Sequence, residues 1–423
     1  MHIGVYGAGY LGTVVSACLA DFGNPVTCYD ADGSRIYATS QGSIPFYEKN
    51  LKDVIKRNIR AGRLIYSSDL ESFAGKCAVI FMAEDSSRYL EEVAVKLAQE
   101  LKNDTILVLV TPVPVGTAAR LGPRLKAAPN KVTIVSHPLF LTDGCAVEDF
   151  NWPDRIVVGT RSTHAVQTLK QIYRPLAMRG VPIIVTNHET AELVREASTA
   201  FLATKISFIN EVSALCERVS ADAVDLALAL GLDKKIGPRC LQPGAGFGGP
   251  FVESDMDALA QLAAGNGVSL RVLSAAREVN LAMCDRVVAK LSNVLESVSG
   301  KEFGILGLSF KPHTNSVAGS ASINLARSLM AKGAKVRAYD PVAIPDAKLE
   351  MDKMPVRYCE SAYHAAEGSD ALVVGTGWPE FRALDFERIK RLLRRPIVID
   401  TKNLLDGARM RSIGFQYVGM GRN

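Results

Sequence analysis

Near the start of the chain, the letters GAGYLG have the spacing of a dinucleotide-binding turn. The motif residues are Gly7, Gly9, Tyr10, Leu11 and Gly12, between a β-rich run at 2–6 and a helical pattern at 13–21. Such glycines allow a tight turn, close approach of backbone to a pyrophosphate and close packing of the helix. Asp30, which ends a second β-rich run, can accept hydrogen bonds from ribose hydroxyls. A carboxylate there repels a 2′-phosphate, so the pattern predicts NAD rather than NADP.

A second glycine-rich stretch, PGAGFGGPFVESD, begins at Pro243 and could press its backbone against a ligand. Four glycines lie within residues 244–249. Glycine can adopt positive φ, and a loop of this kind can bind a phosphate or a sugar. Asp255 then begins an apolar-periodic run with acidic residues in its first turn, as a helix N-terminus favours. We therefore expect the loop to end at the start of a helix.

With its surroundings, this stretch resembles the signature loop of the UDP-glucose/GDP-mannose dehydrogenase family, GFGGSCFPKD followed by a helix. The matching residues are Gly246, Phe247, Gly248, Gly249 and Asp255. The resemblance continues from residue 1 to about residue 405 with the same order of elements. It implies an NAD-dependent oxidoreductase that acts on a nucleotide sugar or a related nucleoside, and a homodimer formed through the long helical pattern at 189–230.

The chain departs from the family pattern at positions to which the resemblance gives catalytic roles. Phe251 stands where the family has its nucleophilic cysteine, and a phenyl ring cannot form a thiohemiacetal. Leu139 replaces an acid-base glutamate, and Pro112 replaces a threonine that holds a catalytic water. Because oxidation of an aldehyde to an acid needs the thiol in this family, the resemblance implies that a four-electron reaction should fail.

Three residues remain as catalytic candidates by resemblance: Arg195, Thr199 and Asp255. The first two stand where the family has a lysine and an asparagine that donate to the sugar and the developing oxyanion. Arginine keeps the charge but does not act as a general base. His137 is either a replacement base or a satisfied structural histidine.

The resemblance also implies which residues bind the two ligands. Arg35 matches a position that flanks the adenosine of NAD. The expected substrate-binding residues are Lys235, Leu241, Gly246, Phe247, Gly248, Gly249, Phe310, Lys311 and Lys402. An arginine that reaches the cofactor pyrophosphate in the family is Ala318 here, and Glu84 and Asp85 replace small residues over the cofactor. Carboxylates near a pyrophosphate would weaken binding unless they point to solvent.

Composition limits the class of protein. The 423 residues carry a net charge of +5, with 48% hydrophobic and 22% charged residues, as in an ordinary globular protein. Basic residues are interspersed with acids, so we expect no nucleic-acid partner. The eight cysteines form no C-x-x-C pair, which gives no support for a metal. The chain begins with a strand and has no apolar run of spanning length, so we expect a cytoplasmic protein without a membrane partner.

The elements that position these residues predict an α/β fold, with two Rossmann-like doubly wound domains joined by a central domain of long helices. We place the NAD-binding domain at 1–188, the helical dimerisation domain at 189–298 and the nucleotide-sugar-binding domain at 299–423. Residues 43–70 are expected to form two helices around a turn at Gly62, and 266–295 an amphipathic helix. The run 189–230 should break near 220–222, where an N-cap residue is available.

Three functions follow from this pattern. The first is an NAD-dependent oxidoreductase on a nucleotide sugar, limited to one two-electron step. The second is a non-catalytic paralogue that binds nucleotide sugar as a regulatory or scaffold subunit. The third is full 6-dehydrogenase activity, which would need a thiol that Phe251 does not supply.

Overall fold

Strands and helices alternate through the part of the chain that the structure describes, residues 1–84 and 86–422. In this computed structural model they form two units, unit 1 (Met1–Ala197) and unit 2 (Ser198–Asn423). Alternation of this kind produces parallel sheets covered by helices.

Unit 1 contains one eight-stranded sheet in the order β3-β2-β1-β4-β5-β6-β7-β8. Its elements are β1 (Ile3–Tyr6), α1 (Tyr10–Asp21), β2 (Val26–Tyr29), α2 (Gly33–Ser40), α3 (Leu51–Arg60), β3 (Leu64–Ser67), α4 (Leu70–Lys76), β4 (Val79–Met82), α5 (Ser87–Glu100), β5 (Thr105–Leu109), α6 (Thr117–Lys126), β6 (Val132–Ser136), α7 (Ala146–Asn151), β7 (Ile156–Gly159), α8 (Thr163–Ile172), α9 (Arg174–Ala177) and β8 (Ile183–Thr186). Neighbouring strands are parallel except β6 and β7. The order 3-2-1-4-5-6 is that of a Rossmann sheet.

Both faces of this sheet are covered, as the central strand β4 demonstrates. Val79 and Phe81 belong to one buried apolar cluster, whereas Ile80 and Met82 belong to another. Successive side chains of a strand point to opposite faces, so each cluster lies on its own side of the sheet. This arrangement leaves the carboxyl ends of the strands as the edge at which ligands bind in such folds.

The expectation of two helices at 43–70 is half wrong. Residues Leu51–Arg60 form α3, but the segment after Gly62 forms the strand β3. Leu64 pairs with Val26 of β2. Strand β3 lies at the edge of the sheet, so β2 is its one neighbouring strand. Branched and aromatic side chains at 64–66 favour an extended chain once a neighbouring strand is available.

The long helical run is confirmed, including its break. Helix α10 (His188–Val219) ends before Ser220, and α11 (Ala223–Leu232) follows. The Asp222 side chain accepts hydrogen bonds from the backbone N–H groups of Val224 and Asp225, at 2.8 and 3.3 Å. Asp222 is therefore the N-cap that separates the two helices.

Unit 2 contains a second parallel sheet in the order β11-β10-β9-β12-β13-β14. Its further elements are α12 (Val252–Gly265), α13 (Arg271–Leu295), β9 (Glu302–Leu306), α14 (Ala321–Ala331), β10 (Lys335–Tyr339), α15 (Ile344–Glu350), β11 (Val356–Tyr358), α16 (Ala362–Ala366), β12 (Ala371–Val374), a 3₁₀ helix (Pro379–Ala383), α17 (Phe386–Leu392), β13 (Ile397–Asp400), α18 (Gly407–Ile413) and β14 (Gln416–Gly419). The predicted α/β class with two Rossmann-like sheets is confirmed.

Helix boundaries in the middle of the chain differ from the expectation. The helix after the second glycine-rich stretch begins at Val252, three residues before Asp255. Residues 266–270 are not helical, because Gly267 adopts a φ of 70° in the turn that separates α12 from α13. A glycine in the left-handed region ends a helix at little steric cost.

Within the described residues, no helix is long and apolar enough to cross a membrane. The same residues contain no group of three or more His, Cys, Asp or Glu side chains that could hold a metal ion.

Candidate functional site

The GAGYLG turn connects β1 to α1 and depends on glycine at two positions. Gly7 has a φ of 100°, and a Cβ atom there would lie 2.5 Å from the carbonyl oxygen of Ala83. At Gly12 a Cβ atom would lie 1.8 Å from the carbonyl oxygen of Gly7. Gly9, the N-cap of α1, has no side chain with which to cap the helix. The first turn of α1 thus presents backbone N–H groups and the positive end of the helix dipole, as a pyrophosphate requires.

Asp30 lies at the end of β2, beside this turn, as the motif predicts. Its Oδ2 accepts a hydrogen bond from the N–H of Ala8 at 2.8 Å, and its Oδ1 accepts one from the N–H of Asp32 at 2.9 Å. Arg35 forms an ion pair with the same carboxylate at 3.2 Å. Two carboxylate oxygens offer about four acceptor positions, so Asp30 can still accept from a ribose hydroxyl.

The side chains of Tyr10 and Leu11 face inward. The Tyr10 hydroxyl donates to Oε2 of Glu48 at 2.6 Å, and Leu11 packs against the core of unit 1. Glu48 also accepts a hydrogen bond from the N–H of Gly144 at 2.7 Å. Burial raises the pKa of Tyr10 above its usual range, so its hydroxyl stays protonated and remains the donor. The Tyr10 hydroxyl is therefore already used within the protein, and the backbone groups of Tyr10 and Leu11 are the ones that the motif offers to a dinucleotide.

Glu84 borders the glycine turn. The N–H nitrogen of Glu84 lies 3.3 Å from the position that a Gly7 Cβ would occupy. Its carbonyl oxygen accepts a hydrogen bond from Thr111 Oγ1 at 2.9 Å. The backbone of residue 84 thus adjoins the turn, and a carboxylate carried there lowers affinity for a pyrophosphate unless it points away. Asp85 lies outside the described residues.

The segment after β6 contains His137 and Leu139. Both ring nitrogens of His137 have partners, the carbonyl oxygen of Val157 at 2.6 Å and the Tyr173 hydroxyl at 2.8 Å. Burial lowers the pKa of His137 to about 4. Leu139 packs against the core of unit 1. These contacts favour the structural alternative for His137, because neither nitrogen is exposed for proton transfer.

Glu192 is a buried acid whose importance the sequence did not indicate. It accepts hydrogen bonds from the N–H groups of Gly116 and Ala118, at 2.7 and 3.0 Å, and from Ser136 Oγ at 3.0 Å. It thereby binds the N-terminus of α6 and fixes the preceding loop, which carries Pro112. The sequence offers only an acid within an apolar helical pattern, which does not reveal these partners.

In unit 2, Thr199 and Asp255 lie together. The Thr199 hydroxyl donates to Oδ2 of Asp255 at 2.9 Å, and the Asp255 side chain is buried. A side chain on α10 and a side chain in the first turn of α12 therefore form one pair. Arg195 lies one turn before Thr199 on α10.

The glycine-rich loop of unit 2 packs against a second backbone segment. The N–H of Gly249 donates to the carbonyl oxygen of Ala318 at 3.0 Å. A Cβ atom at Gly248 would lie 2.0 Å from the carbonyl oxygen of Gly319. At Gly249, which has a φ of 114°, a Cβ atom would lie 2.9 Å from the ring of Phe310. Glycine is thus required here for backbone-to-backbone and backbone-to-ring contact.

Two of the expected substrate-binding side chains are buried. Phe247 packs with Ala200 and Met256, and Leu241 packs with Ile209. Only backbone atoms of Phe247 and Leu241 are left for a ligand.

The expected lysines differ in their surroundings. Lys235 is exposed, and its backbone N–H donates to Asp233 at 2.9 Å. Lys311 Nζ lies 6.0 Å from the centre of the Phe310 ring. Lys402 is half-buried beside Gly244, and burial lowers its pKa. The structure thus brings Lys402, Phe310 and Lys311 near the two ends of the glycine-rich loop.

Phe251 is the N-cap of α12, and 41% of it is exposed. All eight cysteines, each within the described residues, are free thiols. Burial raises the pKa of Cys240, which disfavours the thiolate that a nucleophile needs.

The second sheet repeats the arrangement around Asp30. Gly307, with a φ of 93°, follows β9, and its N–H donates to the carbonyl oxygen of Tyr339 at 2.7 Å. Asp340 after β10 accepts from the N–H of Leu308 at 2.7 Å. Here the Trp378 indole N–H also donates to the acid, at 3.2 Å, and Asp340 is fully buried.

Three family models match the chain. They are the NAD binding domain of the UDP-glucose/GDP-mannose dehydrogenase family at residues 1–177, its central domain at 189–282 and its UDP binding domain at 304–407.

Relatives match over almost the full length. A UDP-glucose 6-dehydrogenase of Bacillus subtilis, TuaD, is 36% identical, with 99% of this chain and 93% of the relative covered. A UDP-glucose 6-dehydrogenase of Rhizobium meliloti is 36% identical, with 100% of each covered. The solved structure of a UDP-glucose dehydrogenase from Pyrobaculum islandicum superimposes with a TM-score of 0.89 at 30% identity, covering 100% of this chain and 98% of that one. The resemblance is confirmed, and the chain belongs to the UDP-glucose/GDP-mannose dehydrogenase family of NAD-dependent oxidoreductases.

Proposed function

We propose that this chain catalyses one two-electron interconversion of an alcohol and a carbonyl on a nucleotide sugar, and does not continue to the acid. The observation that carries the proposal is Phe251, at the position where the resemblance puts the nucleophilic cysteine. In this family, by the resemblance, the aldehyde is oxidised through a covalent adduct with a thiolate, so the step needs a nucleophile at this position. The phenyl ring of Phe251 cannot act as one.

NAD fits the turn at 7–12. Gly7 and Gly12 let the backbone of the turn pack tightly against Ala83 and against itself, and the N-terminus of α1 offers N–H groups to a pyrophosphate. Asp30 would bind the adenosine ribose. NAD, when bound, supplies the hydride acceptor.

The nucleotide sugar belongs in unit 2 in this proposal. The match to a UDP binding domain at 304–407 and the names of the curated relatives favour a uridine nucleotide as the carrier. Backbone groups of residues 244–249 would contact the ligand, with Phe310, Lys311 and Lys402 around them. Two ammonium groups suit a diphosphate.

Thr199 and Asp255 are the proposed proton acceptors, with Arg195 as a charge that stabilises the developing alkoxide. As the alcohol O–H breaks, its proton passes to Thr199 Oγ1, and the Thr199 proton passes to Asp255 Oδ2 along the 2.9 Å hydrogen bond. A positioned acid-base group contributes roughly 10²–10⁴-fold to rate.

We further propose a homodimer formed through α10. Phe201, Phe208 and Leu215 recur every seven residues and are 66, 52 and 59% exposed. Seven residues are two helical turns, so these side chains form one apolar stripe on α10. A contiguous stripe of large apolar side chains marks a contact surface. A second copy of the chain would cover it.

The test is the stoichiometry of NADH to consumed UDP-glucose with the purified protein. One NADH per sugar, with a carbonyl product that hydroxylamine traps, is expected. Two NADH per sugar with a uronate product would overturn the proposal.

A second candidate function is a non-catalytic nucleotide-sugar-binding subunit. It is favoured by Glu84 beside the glycine turn and by the loss of the pyrophosphate-binding arginine at Ala318. Both changes weaken NAD binding. Single-turnover hydride transfer to bound NAD would refute this alternative, whereas binding of UDP-glucose without any NAD binding would support it.

A further inference from the structure

The segment Gly419–Arg422 is clamped onto the helices of unit 2. The N–H of Gly421 donates to Glu217 Oε1 at 2.7 Å, and its carbonyl oxygen accepts from the N–H of Ala223 at 2.9 Å. Arg422 Nε binds Asp222 Oδ2 at 2.7 Å. We refer to residues 419–422 as the clasp segment.

The clasp segment rests on a charged cluster. Glu217 on α10 receives Arg286 Nη2 at 2.6 Å and Lys290 Nζ at 2.8 Å, in addition to the N–H of Gly421. Burial opposes ionisation of Glu217, but the Lys290 contact, the Gly421 amide and the neighbouring charges together lower its pKa. The carboxylate is therefore charged near neutral pH.

Close packing fixes the clasp segment as well. Gly421 has a φ of 73°, and a Cβ atom there would lie 2.4 Å from the Cβ of Ala223 and 2.7 Å from the Cβ of Ser213. Backbone thus packs directly against α10 and α11.

Asn403 connects the clasp segment to the glycine-rich loop. Its Oδ1 accepts from the N–H of Met420 at 3.0 Å, and its Nδ2 donates to the carbonyl oxygen of Met420 at 2.9 Å. The same Nδ2 donates to the carbonyl oxygen of Pro243 at 3.3 Å. Asn403 holds a φ of 47°, a conformation that asparagine tolerates better than most residues. One amide side chain therefore joins two segments that are far apart in sequence.

Helix α10 supports both ends of this connection. Asn210 Oδ1 accepts from the N–H of Gly244 at 2.8 Å, and Glu217, two turns further on, holds Gly421. Pro243 and Gly244 are thus fixed from one side by α10 and from the other by Asn403.

We propose that Asn403 and the clasp segment are the positioning element for the glycine-rich loop, and that they set the affinity of unit 2 for its nucleotide. Asn403 acts through the loop and is a positioning residue. The part of the proposal that concerns affinity rests on the proposed function, because it assumes that the loop binds a nucleotide sugar. A loop held in its bound conformation loses less entropy when the ligand binds.

Two variants of Asn403 separate the contributions of its side chain. Asn403→Gly keeps the left-handed backbone and removes all three hydrogen bonds. Asn403→Asp keeps the acceptor for Met420 and removes both donated bonds, leaving a carboxylate facing two carbonyl oxygens. Asn50→Gly in unit 1 is the matched control, because Asn50 has a φ of 66° and makes no capping hydrogen bond.

The first measurement is amide hydrogen exchange of residues 244–249 without ligand. In both Asn403 variants these amides should exchange about tenfold faster, since each variant loses at least the two hydrogen bonds that Nδ2 donates, while α13 and the second sheet stay as in the wild type. Arg422 binds Asp222 and not the loop, so Arg422→Ala should increase the exchange rate of the loop amides only about threefold. No change in the loop, or an equal increase throughout unit 2, would overturn the proposal.

The second measurement is the affinity for uridine diphosphate by calorimetry. The Asn403 variants should bind roughly tenfold more weakly, and Asn50→Gly should bind as the wild type does. Wild-type affinity in Asn403→Asp would overturn the positioning role. If the wild type itself binds no uridine diphosphate or UDP-sugar, the proposed function fails, and the exchange data alone then decide whether Asn403 positions the loop.

Discussion

Among the candidate catalytic residues, Thr199 and Asp255 are joined by a direct hydrogen bond between their side chains. Asp255 is buried, and the Thr199 hydroxyl satisfies one of its oxygens. A buried carboxylate without its donor loses a charge-assisted hydrogen bond, so the pair is sensitive to small changes. Threonine also leaves its own oxygen able to accept a proton.

Thr199→Val should lower single-turnover NADH formation by about 10²–10⁴-fold, because the substitution removes the hydroxyl and keeps the shape. The measurement is NADH absorbance in rapid mixing, with NAD affinity measured separately and expected to stay unchanged. Thr199→Ser retains the hydroxyl and should recover most of the rate. An equal loss in the serine and valine variants would contradict a role in proton transfer.

His137 predicts a pH dependence of stability. Its pKa is about 4 in the folded protein because of burial, whereas an unfolded chain has the ordinary value of 6.5. Between pH 6.5 and pH 4 the unfolded state binds the proton and the folded state does not, so stability falls as pH falls through this window. The loss approaches about 3 kcal/mol at pH 4.

The measurement is urea unfolding from pH 7 to pH 4 in the wild type and in His137→Asn, which keeps polar groups but cannot titrate. On acidification the free energy of unfolding should fall more in the wild type than in the variant. A constant difference would show that His137 is not buried and neutral as described.

At the scale of elements, the sequence predicted the helices and turns that depend on residues close together in the chain. The GAGYLG turn, helix α10 and its Asp222 cap were predictable, because glycine spacing, apolar periodicity and a capping residue are local signals. The strand β3 was missed, since its extended form depends on pairing with β2, a long-range contact. Local propensity yields to tertiary context in such cases.

The same limit applies to the site. Glu192, Asn210 and Asn403 each bind backbone of a segment distant in the sequence. Nothing in their spacing reveals the partner, so the residues that hold the loops were not predictable, whereas the loop glycines were.

The stripe on α10 predicts the oligomeric state. Phe208→Glu should convert a dimer into a monomer or weaken dimerisation at least tenfold, because it would bury a charge at the contact. Light scattering during size-exclusion chromatography measures the mass. Leu349→Glu is the control, since Leu349 is 80% exposed on α15 and outside the stripe. A wild-type monomer would refute the dimer.

At the scale of the whole molecule, each unit should respond to its own ligand. NAD at 100 times its Kd should stabilise unit 1 by about 2.7 kcal/mol and slow hydrogen exchange near residues 7–12. Uridine diphosphate should slow amide exchange of residues 244–249 in unit 2. Gly12→Ala, whose new Cβ would meet the Gly7 carbonyl, should abolish the NAD effect and leave the uridine diphosphate effect intact. Protection of both segments by NAD alone would contradict this division.

The repeated arrangement at Asp30 and Asp340 has a consequence for stoichiometry. Both acids hold the amide after a left-handed glycine, but Asp340 also accepts a hydrogen bond from the Trp378 indole N–H and is buried. A ribose that approached the second sheet would find its acceptor already enclosed. The second sheet therefore lacks an accessible acceptor for a ribose at Asp340, and a titration of the purified chain should reach saturation at a single equivalent of dinucleotide.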